Sequence, residues 1–88
     1  MDEKFDPLTV MIVDDNPDDR ALVLRELEKQ FDDIEAEEVI NESQFADYLK
    51  KGDFDIVITD YRLRWTTGLD ILREVKSQYP EKPVIMFT

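Results

Sequence analysis

Apolar residues fall in three short unbroken runs, at 10–13, 56–58 and 84–87, and recur at helical spacing in the segments between. Unbroken runs of Val, Ile and Met suit strands covered on both faces, so these three are predicted as central parallel strands. A further stretch, 34–40, interleaves Ile34, Ala36, Val39 and Ile40 with Glu35, Glu37 and Glu38. One wetter side of this kind predicts an edge strand.

The intervening segments carry amphipathic stripes: Leu24, Leu27 and Phe31, then Phe45, Tyr48 and Leu49, then Ile71, Leu72, Val75 and Tyr79. Each stripe predicts a helix that buries one face. Asn16 precedes Pro17, Asn41 stands three residues before Gln44, and Thr67 three before Asp70. These are side chains able to accept from the free amides of a first helical turn. Gly52 and Pro80 mark two helix ends. Strand and helix therefore alternate through the chain. Right-handed crossovers turn that alternation into an α/β fold, an open parallel sheet with helices on both faces. The 88 residues are expected to form one domain, with the polar residues 1–6 flexible ahead of the first strand.

Composition narrows the chemistry. The chain has no histidine and no cysteine, so it cannot hold a phosphohistidine, and any reaction must run on carboxylates. Twenty-two acidic against eleven basic residues give a net charge of −11, which argues against direct binding to nucleic acid or to an anionic membrane surface. No apolar run approaches the roughly 20 residues that span a bilayer, and no secretory leader is evident, so a cytoplasmic location is expected. Gly52 and Gly68 are the only glycines, too few for a Gly-rich nucleotide loop.

In open α/β sheets ligands bind beyond the carboxyl ends of the strands. The residues there are Asp14 and Asp15, Asp60, and Thr88. Three carboxylates gathered at one sheet edge repel one another unless a cation lies among them, and an all-oxygen donor set suits Mg²⁺. One carboxylate can then act as nucleophile toward a phosphoryl group, with the Thr88 hydroxyl donating to a phosphoryl oxygen. Each residue alone has a plainer reading. The acidic pair can simply start a helix, a lone strand-end Asp is often a turn former, and Thr88 can be an ordinary strand residue. Only their joint occurrence is informative. Asp14, Asn16 and Asp18 mimic an EF-hand start, but Asp19 and Arg25 stand where that loop needs Gly and Glu. A phosphatase built on a strand-end Asp would need a second carboxylate two positions on, where Asn16 stands.

The segments VMIVDDNPDDR, FDIVITDYRL and PVIMFT, with Gly68 eight positions after Asp60, resemble the receiver domains of two-component response regulators. The resemblance covers nearly the whole chain and implies the flavodoxin-like receiver fold. It also implies that Asp60 is phosphorylated by a histidine kinase or phosphotransfer protein, and that Asp15 ligates Mg²⁺ directly with Asp14 supporting it largely through water. Arg62 would contribute its backbone carbonyl, and Thr88 the switch hydroxyl. Enzymatic activity would amount at most to self-phosphorylation on Asp60, and a histidine kinase carrying such a domain is one parent architecture. Arg64 stands where the family usually has proline. A family member also continues past Thr88 through a helix, a strand bearing a phosphoryl-contacting lysine, and a final helix. Without these, the fourth strand would expose an apolar edge, and self-association or element swapping through it is expected. The alternative reading is a folded association module without phosphotransfer.

Overall fold

The computed structural model describes residues 7–87. The flexibility expected of residues 1–6 and the role expected of Thr88 lie outside them.

Seven elements follow the expected alternation: β1 (Leu8–Val13), α1 (Pro17–Gln30), β2 (Ile34–Val39), α2 (Glu42–Lys51), β3 (Ile56–Asp60), α3 (Gly68–Gln78) and β4 (Val84–Phe87). The strands form one parallel sheet in the order β2-β1-β3-β4, so β2 is an edge, as its alternating glutamates require. All three helices start where cap chemistry predicts. The side chains of Asn16, Asn41 and Thr67 accept from the amides of Asp18, Gln44 and Asp70 respectively. Gly52 closes α2 in the left-handed region at φ 68°.

Because side chains alternate across a strand, the two sheet faces have different cores. On one, Met11, Val13, Val39 and Val57 pack under α2 and α3 against Phe45, Leu49, Phe54, Ile71 and Val75. On the other, Val10, Ile12 and Ile58 meet only α1, through the half-buried Val23, Leu24 and Leu27. One helix cannot cover four strands, so no residue of α1 is fully buried. Phe31, expected on the buried stripe of α1, is instead its extended C-terminal cap and is 46% exposed. The helix ends before its stripe completes another turn, and the chain leaves the sheet surface there. Tyr79 caps α3 and still joins the core, its ring edge-on to Phe54 and its hydroxyl donating to the Leu49 carbonyl.

Candidate functional site

The site forms where β1 and β3 end side by side. Val10–Val13 pairs in register with Ile56–Thr59, which brings Asp14 and Asp15 alongside Asp60. Asp14 is 1% exposed although it is a carboxylate. Its Oδ1 accepts from the Asn16 amide at 2.9 Å, a tight turn that leads into α1. Its Oδ2 is buried and has no hydrogen-bond partner among the described residues. Burial pushes the Asp14 carboxyl above the usual range; the Asn16 amide opposes this, while the charges of Asp60, Asp19 and Asp15 add to it.

Asp15 faces the loop after β3, and its Oδ2 accepts from the Arg64 amide at 2.6 Å. That loop is folded back on itself: Arg62 bridges Thr67 across an antiparallel pair, and the Leu63 amide donates to the Thr66 carbonyl. Gly68 closes the loop against the phosphoacceptor candidate. A Cβ there would lie 2.7 Å from the Asp60 carbonyl oxygen and 3.1 Å from the Tyr61 Cα, closer than a side chain tolerates. Asp60 pairs with Phe87 in the last register position of β3 and β4.

Arg20 was not singled out from the sequence. Its Nη1 donates to the Asp14 carbonyl at 2.8 Å and its Nε to Glu38 at 2.9 Å, so it ties the end of β1 to α1 and β2. An arginine one turn into a helix gives no local sign of this; only the packing of α1 beside β2 creates the contact.

Among the described residues no three acidic side chains are close enough to form a complete cation cage. The donors that are present nonetheless fit a hard cation. They are all oxygens, one buried carboxylate oxygen is unsatisfied, and burial, with neighbouring charges adding to it, makes that carboxylate's ionised form costly. Mg²⁺ usually keeps several waters and needs only one or two carboxylates from the protein.

A doubly wound parallel sheet with its chain reversal between β1 and β3, and acidic groups at that switch point, defines a class of α/β domains with their ligand site at this edge. Within that class the chain belongs to the response regulator receiver domain family, whose model matches residues 10–88. The chain is 33% identical over 78 residues to the response regulator protein PilR of Pseudomonas aeruginosa, covering 89% of this chain and 17% of PilR. It is thus similar to a small part of that relative. Among solved structures, chemotaxis response regulator CheY4 of Vibrio cholerae superposes with a TM-score of 0.77 at 26% identity, over 92% of this chain and 68% of that one. The receiver domain of sensor histidine kinase PA1611 from Pseudomonas aeruginosa has the same fold at 21% identity, with a TM-score of 0.78 over 94% of this chain and 68% of that one. That structure is described with a magnesium ion coordinated in its active-site cleft. No helix among the described residues is long and apolar enough to cross a membrane.

Proposed function

We propose that this receiver domain acts in the cytoplasm and takes a phosphoryl group on Asp60 from the phosphohistidine of a histidine kinase or phosphotransfer protein. The observation that carries the reading is the buried, partly unsatisfied Asp14 carboxylate beside Asp15 and Asp60 at the carboxyl edge of the sheet. Mg²⁺ would be held by Asp15, Asp60 and the Arg62 carbonyl, with Asp14 supporting it largely through water, and would neutralise charge on the phosphoryl oxygens when bound.

A carboxylate oxygen of Asp60 attacks phosphorus as the bond from phosphorus to the donor imidazole nitrogen breaks, leaving an acyl phosphate here; the electron pair stays on that nitrogen, and the proton on the other ring nitrogen keeps the donor imidazole neutral. Asp60 is oriented by the β3–β4 pairing and by the loop that Gly68 closes. Asp15 holds that loop through the Arg64 amide, and Arg20 holds the Asp14 backbone. Thr88, next in sequence after Phe87, is the proposed switch hydroxyl that hydrogen-bonds the phosphoryl group.

Intact mass after incubation with acetyl phosphate tests this. A single phosphoryl adduct should form on the parent only with Mg²⁺ and should be absent from Asp60→Asn. Asp15→Asn should require more Mg²⁺ for the same yield. An adduct on Asp60→Asn would refute the phosphoacceptor assignment, and unchanged Mg²⁺ dependence in Asp15→Asn would refute the metal assignment.

A further inference from the structure

On the face away from the open side of the sheet, α2 and α3 diverge beneath the β3–α3 loop and leave a cavity of about 360 Å³. That size lies within the roughly 300–1,000 Å³ typical of sites that take small groups. Its floor is apolar, made by Phe45, Leu49 and Ile71, all buried. Trp65 forms a wall, its ring tilted 43° against Phe45 with centroids 5.9 Å apart. The mouth is acidic: Glu42 comes from the first turn of α2, and Asp70 and Glu74 from one face of α3. Asp70 is shared with Arg73 and Thr66, whereas Glu42 and Glu74 make no ion pair among the described residues. None of the residues lining this cavity is basic.

Two chemistries therefore meet in one place. An aromatic face over an apolar floor attracts the flat side of a guanidinium, and carboxylates at the rim supply its hydrogen-bond acceptors. The apolar floor also takes the neighbouring side chains of a peptide, which a free organic cation does not carry.

We infer that the cavity between α2 and α3 is a docking site for an arginine side chain of a basic segment of a partner protein, stacked on Trp65 and held by Glu42 and Glu74. The chain's net charge of −11 favours encounter with such a segment. The site is separate from the phosphoacceptor carboxylates, so it stands or falls independently of phosphotransfer. Its wall belongs to the same loop that Asp15 anchors through Arg64.

Trp65 is the only tryptophan, which makes its fluorescence a direct reporter of occupancy. The probes are the capped tripeptide Leu-Arg-Leu, its citrulline counterpart, and agmatine, which has the guanidinium but no flanking apolar residues. The arginine peptide should shift Trp65 emission saturably, the citrulline peptide should bind at least about tenfold more weakly, the loss of one charge-assisted contact, and agmatine should bind more weakly than the arginine peptide for want of apolar contacts with the floor. The double variant Glu42→Gln, Glu74→Gln, both exposed and so expected to fold normally, should lose the response. Glu26→Gln, on the opposite face, should retain it. Equal binding of the arginine and citrulline peptides, no saturable shift, or an unaffected double variant would overturn the proposal. Agmatine binding as tightly as the peptide would overturn it in favour of a small cationic ligand.

Discussion

Glu37 sits half-buried on β2, with Oε1 buried and lacking a partner among the described residues. Burial raises its pKa above the usual glutamate range; Asp53 and Glu35 add to the shift, while Lys51 and Lys82 oppose it. A carboxyl whose pKa is higher in the folded state binds more protons folded than unfolded across the interval between the two values. Its contribution is full below the unfolded value and is lost as pH rises through the folded one. Glu37→Gln should therefore stabilise the protein near neutral pH, by roughly 1 kcal/mol or less, and change it little once the pH is below the ordinary glutamate value. Urea unfolding at about pH 4 and at about pH 7.5 checks this, and an equal shift at both would assign the effect to something other than titration. Cap residues were fully legible in the sequence at this scale, because Asn16, Asn41 and Thr67 act on amides two or three residues away. Glu37 read only as one of β2's wet residues. Its burial arises from the α2 end that lies over it, which no local pattern encodes.

The β3–α3 loop is the element on which the site most depends. Gly68 is required there by close approach, since its φ is not in the left-handed region and the space for a Cβ is taken by the Asp60 carbonyl and Met86. Gly68→Ala should cost about 1–3 kcal/mol through overpacking, seen as a lower unfolding midpoint in urea. It should also reduce acetyl-phosphate labelling more than that stability loss explains, because the obstructing atom belongs to the phosphoacceptor residue. A variant as stable and as reactive as the parent would show that the loop relaxes freely. The glycine's spacing from Asp60 was visible in the sequence. The reason for it appeared only with β4 in place, since Met86 is one of the atoms in the way. Helix α1 shows the opposite case: its stripe was legible, but its end was not, and Phe31 falls outside the core.

At the scale of the molecule, the two sheet faces are unequally covered. Leu22, Leu27, Ile58 and Phe87 border an apolar groove of about 460 Å³ beside α1, and Ile85 next to it is 48% exposed. The net charge of −11 acts at the same scale: twenty-two acidic side chains in so short a chain repel one another in the folded state, and salt screens that repulsion. The urea unfolding midpoint should therefore rise from low to moderate ionic strength, and a midpoint indifferent to salt would count against it.

The sequence by itself determined the kind and order of the elements, their caps, and which strand ends carry carboxylates. Those features depend on side-chain period and on hydrogen bonds spanning a few residues, so they can be read along the chain. Tertiary structure alone decided that β1 lies between β2 and β3, that Asp14 is buried with one oxygen unsatisfied, and that Arg20 reaches both Asp14 and Glu38. It also decided that Trp65 closes a cavity against Phe45. Each of these depends on which distant elements become neighbours, and burial, charge repulsion and close contact take their values only once that packing exists.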